Sequence, residues 1–169
     1  FFFFFSLTIL GQNIPFKQEN LEAVNVFMSF DKLDGIDVLR VVKDDKIVEF
    51  DEPTFVKIKD LSFQEGVIEV KVLSRLLDNA PDFARGFIGV AFHISDNNDV
   101  FQSIYLRPTN ARAENQLRRN HSIQYFAYPD YKFQRLRVES PEMYESYSDF
   151  GLNEWITMRI IIKDNLSLI

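Results

Sequence analysis

Gly66-Val-Ile-Glu-Val-Lys-Val-Leu73, Gly86-Phe-Ile-Gly-Val-Ala-Phe-His-Ile94, Val100-Phe-Gln-Ser-Ile-Tyr-Leu-Arg107 and Ser122-Ile-Gln-Tyr-Phe-Ala-Tyr128 decide the fold of this chain. Each segment is short and rich in β-branched and aromatic residues, and Asp, Asn, Pro or Gly separates it from the next, as consecutive antiparallel strands require. Side chains alternate across a strand, so each segment divides into two faces. One face carries Ile68, Val70, Val72, Ile88, Val90, Phe92, Ile94, Ile104, Leu106, Ile123 and Tyr125, and is expected to be core. The other carries Glu69, Lys71, Phe87, Gly89, Ala91, His93, Ser103, Tyr105, Arg107, Ser122, Gln124, Phe126 and Tyr128. Gly89 and Ala91 are expected to leave a shallow space there, either lining a groove or simply half-solvated.

Outward from this stretch, Val24 to Phe30 and Val38 to Val42 read as strands around a turn at Asp34-Gly35, and Phe55 to Ile58 as another. Leu73 to Phe83 reads as a helical turn or a long connection, since Pro81 follows quickly. Tyr131 to Val138 and Met143 to Tyr147 come next, then the strand Trp155 to Ile162. Leu166-Ser-Leu-Ile169 begins a further strand, so the domain is expected to be truncated at its C-terminus.

Residues 1–10 are apolar apart from Ser6 and Thr8, a length that suits the h-region of a secretory signal and is too short to span a bilayer. The expected organisation is a partial signal segment over 1–11, a leader over 12–19 and one domain over 20–169. Localisation is accordingly expected to be secreted or periplasmic.

With 169 residues the chain can bury a real core. Nineteen Lys and Arg against 25 Asp and Glu give a net charge of -6, which argues against nucleic acid or an acidic membrane surface as the main partner. The absence of Cys excludes disulfides, thiolate metal sites and a cysteine nucleophile. No carboxylate spacing forms a calcium loop, and no cofactor or metal is expected. Between residues 101 and 140 the balance turns basic. Arg107, Arg112, Arg118, Arg119, Arg135 and Arg137 there are suited to bidentate bonds, with a carboxylated or sulfated sugar or with the acidic first third of the chain.

Phe63-Gln-Glu-Gly-Val-Ile-Glu-Val-Lys-Val72, Gly86-Phe-Ile-Gly-Val-Ala-Phe92, Tyr105-Leu-Arg-Pro-Thr-Asn110, Arg119-Asn-His-Ser-Ile-Gln-Tyr125 and the Trp155 strand together resemble the concanavalin A-like lectin/glucanase superfamily. They are nearest to bacterial secreted laminin-G and 3-keto-disaccharide hydrolase-type domains. The resemblance implies an all-β, two-sheet antiparallel jelly-roll sandwich that meets an oligosaccharide on one sheet or its rim loops. The expected function is an exported carbohydrate-binding, lectin-like module without catalysis of its own. A glycoside or 3-keto-glycoside hydrolase or lyase, and a structural or protein-interaction domain, are the alternatives. Glu69, Lys71, His93, Tyr105, Arg107, Asn110, Arg119, Gln124 and Tyr128 are the expected ligand-binding residues, and Glu69 with His93 would serve any catalysis. A conventional glycosidase needs two carboxyl groups at a controlled separation, whereas this strand offers only Glu69 beside Lys71. His121, the second of the two histidines, stands at a strand entrance. Arg107 has two expected roles: donating to a ligand, or anchoring the loop from Pro108 to Arg119 through backbone carbonyls and a carboxylate.

Overall fold

The computed structural model describes residues 11–49, 52–163 and, as backbone, 166–168. Residues 1–10, on which the signal-segment expectation falls, lie outside the described residues. The chain divides into two compact units. One comprises the stretch ending at Val48 together with Thr54–Leu61, the other Glu49–Pro53 with Ser62–Ile169.

In the first unit, β1 (Leu21–Val24) begins after a single 3-10 turn, and β2 (Val26–Leu33) and β3 (Ile36–Lys43) form a hairpin. Asp34 and Gly35 turn that hairpin at φ 51° and 82°, the left-handed pair that lets two strands meet without splaying. β4 (Phe55–Ile58) returns antiparallel to β1, pairing Leu21 with Ile58 and Val24 with Phe55.

The second unit holds the four deciding segments. β5 (Gly66–Leu73) leads to β6 (Ile88–Phe92) and β7 (Phe101–Leu106), which is followed by two short helices, α1 (Pro108–Ala111) and α2 (Gln116–Asn120). β8 (Ile123–Tyr128), α3 (Phe133–Glu139), β9 (Glu145–Ser146), β10 (Trp155–Lys163) and β11 (Leu166–Leu168) complete the unit. One sheet runs β6-β7-β8-β9 and the other β11-β10-β5. Residues 74–87, between β5 and β6, form turns and irregular backbone.

The alternation of apolar residues places one face of each sheet on a common core. Phe92, Ile104, Leu106 and Ile123 meet Met158, Ile160 and Ile162 there, with Ala111 and Phe150. Ile68, Val70, Val72 and Val90 pack against the same cluster, half-buried. Ile104 is fully buried.

The expected all-β jelly roll is not what the chain builds. Across the described residues there are four small sheets of two to four strands, none closed on itself, and three helices. Period-2 alternation reports that one face of a strand is buried, but it carries no information on how many strands join or whether a sheet closes. α1 and α2 arise where the strand reading had only a connection, and α3 on the segment read from Tyr131 to Val138. Pro108 starts α1 at a position where its missing N–H costs nothing, and the Asn115 side chain accepts from the Arg118 N–H to cap α2. In α3 a run of good helix formers is supported by an Arg135–Glu139 ion pair one turn apart.

The shallow space expected at Gly89 is also absent. A β-carbon there would stand 2.3 Å from the Ile104 carbonyl oxygen and 2.6 Å from the Tyr105 Cα, so the backbone of β7 itself fills it. Glycine at 89 lets two strands approach.

Candidate functional site

The face of β6-β7-β8 opposite the core is a row of aromatic rings. Phe87 meets Tyr105 edge-on at 5.5 Å, Tyr105 meets Phe126 at 5.6 Å, and Phe126 meets Phe101, which stacks on Tyr128 at 5.0 Å. Phe101 and Gln124 are buried, and Tyr105, Phe126 and Tyr128 half-buried, so the rings pack mainly on one another.

At one end of this row stands a polar network centred on Arg107, itself 5% exposed. Its Nη1 donates to the His121 carbonyl at 2.8 Å and to Glu145 Oε1 at 3.2 Å, and its Nη2 to the Tyr105 hydroxyl at 2.7 Å and Gln124 Oε1 at 3.2 Å. Arg107 thus ties the end of β7 to the residue that closes α2, the anchoring arrangement of a backbone carbonyl plus a carboxylate. Glu145, on the short strand β9, also accepts from Arg137 of α3, with Nε at 2.9 Å from Oε2. Phe133 lies under both guanidinium groups, at 5.6 Å from Arg107 and 5.0 Å from Arg137.

His121 completes the cluster. Its Nδ1 faces Glu145 Oε1 at 3.3 Å, which favours the neutral tautomer with the proton on Nδ1. Among the described residues no buried side-chain nitrogen or oxygen lacks a partner. Asn120, His121, Glu142, Glu145, Ser146 and Tyr147 line a surface groove of about 210 Å³. Glu142 on its rim holds φ 63°, a left-handed conformation unusual for a glutamate and a form of strain that concentrates at working sites.

Electrostatics separates the two ionisable partners. Burial pushes the His121 imidazole below its ordinary 6.5, against the pull of the Glu145 carboxylate, and the Arg137 and Arg107 charges lower it further. For Glu145 burial acts upward, but the Arg137 hydrogen bond and charge, then His121 and Arg107, together outweigh it and hold the carboxyl below its ordinary 4.5. Both shifts act on stability in one direction. The unfolded chain takes up a proton at His121 as pH falls below about 6.5 and at Glu145 below about 4.5, each before the folded chain does. The second unit should therefore lose stability on acidification in two stages, visible as a falling melting temperature between about pH 8 and about pH 3. His121→Ala should remove the upper stage, and an upper stage unchanged in that variant would refute this assignment.

The expected ligand-binding residues are dispersed by this arrangement. Glu69 and Lys71 lie exposed on β5, in the other sheet, opposite Arg159 and Thr157 of β10. His93, just past β6 at φ 52°, has its Nε2 2.9 Å from the Gln64 carbonyl oxygen. Asn110 is buried and accepts from Arg118, while Arg119 donates to the Ala113 and Glu114 carbonyls and so closes the loop ahead of α2. Tyr128 carries the Lys132 ammonium over its ring at 4.9 Å. Tyr105, Arg107 and Gln124 are the three that the structure brings together, and they are joined to one another. The basic middle is also neutralised close at hand: Arg112 pairs with Asp149 and Glu154, Arg135 with Glu139, and Arg107 and Arg137 with Glu145.

Sequence reasoning missed Glu142 and Glu145, and it placed Arg137 only in a general basic stretch. Glu145 is 38 residues from Arg107, so no local spacing announces the pair. No group of three or more His, Cys, Asp or Glu side chains is placed to hold a metal ion among the described residues, and no helix there is long and apolar enough to cross a membrane.

Comparison with known proteins yields no matching family model, no matching curated protein and no matching solved structure. The resemblance to concanavalin A-like, laminin-G-like and 3-keto-disaccharide hydrolase-type domains is therefore withdrawn, and with it the carbohydrate-binding, lectin-like module. Both rested on strand-forming segments that occur here in a mixed fold with unclosed sheets.

Proposed function

We propose that the chain is a protein-interaction domain whose second unit receives a basic side chain of a partner protein in the groove at His121. The observation that carries this reading is the groove lined by His121 and Glu142, in which an imidazole with Nδ1 against Glu145 keeps Nε2 as its hydrogen-bond acceptor. An acceptor calls for a donor, and the exposed Glu142 carboxylate beside it calls for a positive one. Volume narrows the choice. A groove of about 210 Å³ lies below the roughly 300–1,000 Å³ of small-molecule pockets and suits a single side chain. The net charge of -6 draws basic partners toward the chain. The apolar run of residues 1–10 supports a partner met after export.

An unstructured decapeptide rich in Lys and Arg, titrated against the full chain by calorimetry at low salt, tests the reading. Binding should weaken about 10- to 150-fold in Glu142→Gln and in His121→Ala, the loss of one charge-assisted hydrogen bond worth about 1.5–3 kcal/mol. It should also weaken with added salt. Binding unchanged in both variants, or tighter binding of a Glu-rich decapeptide, would overturn it.

A further inference from the structure

β5 has a partner on one side only. β10 pairs with it from Gly66 to Leu73, and none of the described residues forms a ladder along its other edge. That edge is eight residues long with no Pro, and its core-facing residues Ile68, Val70 and Val72 are all apolar. Proteins ordinarily blunt such an edge with a bulge, a proline, an inward-facing charge or a very short strand. β5 has no proline, no inward-facing charge and full length; of the usual devices it carries only charged side chains. Its charges, Glu69 and Lys71, both lie on the exposed face.

We infer that this edge pairs with the same edge of a second copy of the chain, antiparallel about a two-fold axis at Val70. Directly opposed residues in an antiparallel ladder share a face, so registers that set Glu69 against Val70 are excluded because they would turn one copy's core outward. Of the registers that keep the faces matched, an axis at Glu69 opposes Glu69 to itself. An axis at Lys71 opposes Lys71 to itself. Only the axis at Val70 between them sets Glu69 of each copy against Lys71 of the other, twice, by symmetry. Ile68 then faces Val72 and Val70 faces its own copy, so the apolar rows of both sheets run on without a break. Opposite charges directly across a ladder stabilise it and like charges destabilise it. The specificity of the pairing therefore resides in two residues. Within each copy Glu69 also lies opposite Arg159 and Lys71 opposite Thr157, so a change at position 71 disturbs the chain's own sheet least.

The full chain should sediment as a dimer in analytical ultracentrifugation over a dilution series, with twice the mass of the monomer. Lys71→Glu puts a carboxylate opposite Glu69 at both ends of the ladder and should give the monomer mass, with a circular dichroism spectrum like that of the wild type and cooperative unfolding retained. Glu69→Lys/Lys71→Glu restores opposite charges at both positions and should restore the doubled mass. Mixing the Lys71→Glu and Glu69→Lys single variants should do the same through a heterodimer. A wild type that is monomeric throughout, a dimer indifferent to Lys71→Glu, or a charge-swapped double variant that stays monomeric would each overturn the inference.

Discussion

Glu145→Ala is expected to lower the stability of the second unit by about 3–5 kcal/mol, the cost of leaving a buried charge without its partner. The Glu145 side chain is only 4% exposed and stands between the Arg107, Arg137 and His121 side chains. Removing it leaves the Arg107 guanidinium buried, with the His121 carbonyl, the Tyr105 hydroxyl and Gln124 as acceptors but no countercharge. Arg137 is more exposed and can turn to water. Glu145→Gln keeps the volume and one acceptor oxygen and should cost less. Trp155, the single tryptophan, lies in β10, so its fluorescence during urea unfolding follows the second unit by itself. A loss below about 1 kcal/mol, the range of an exposed ion pair, would mean that Glu145 does not serve as the buried countercharge of Arg107.

Ile104→Ala should cost the same unit about 2–5 kcal/mol. Ile104 is fully buried on β7, and its neighbours in the core come from both sheets, among them Leu106, Met158 and Ile160. Truncation forfeits the transfer free energy of the removed carbons and leaves a cavity that two packed sheets cannot collapse around. Val67→Ala on the exposed face of β5, 45% accessible, is the comparison and should stay within about 0.5 kcal/mol. Comparable losses at the two positions would refute the assignment of faces.

That assignment of faces was legible in the sequence because alternation is a local property. Ile68, Val70, Val90, Phe92, Ile104 and Leu106 belong to one core, as the period-2 pattern required. The turn at Asp34-Gly35 was legible for the same reason, since two consecutive left-handed residues need Gly or a short polar side chain. Sheet closure was not, because it depends on which strands meet, and strand order is set by contacts far apart in the chain. The segment from Pro108 to Asn120 shows a second limit. Its polar residues read as a recognition loop, yet Arg118 and Arg119 are directed at Thr109, Asn110, Ala113, Glu114 and Gln116, holding two short helices in place. Polarity alone does not distinguish a side chain that binds a ligand from one that satisfies its own backbone.

Gly89 shows the converse. A small residue between large ones reads as open space, but the missing β-carbon admits the neighbouring strand's backbone. The site lies accordingly not in the middle of the sheet but at its end, where α2, β9 and the turn before β9 meet. Of the groups there that titrate near neutral pH, His121 is visible in the sequence as one of only two histidines. Its carboxylate comes from a two-residue strand that no periodicity could reveal.

The most direct test of the site is the state of the His121 ring itself, read from long-range proton–nitrogen correlation spectra across a pH titration. Glu145 beside Nδ1 predicts the Nδ1-protonated neutral tautomer at about pH 8 and a midpoint below 6.5. The Glu145→Gln variant should weaken that tautomer preference. A ring protonated on Nε2 at that pH, or a midpoint above 6.5, would contradict an imidazole whose Nδ1 proton faces Glu145.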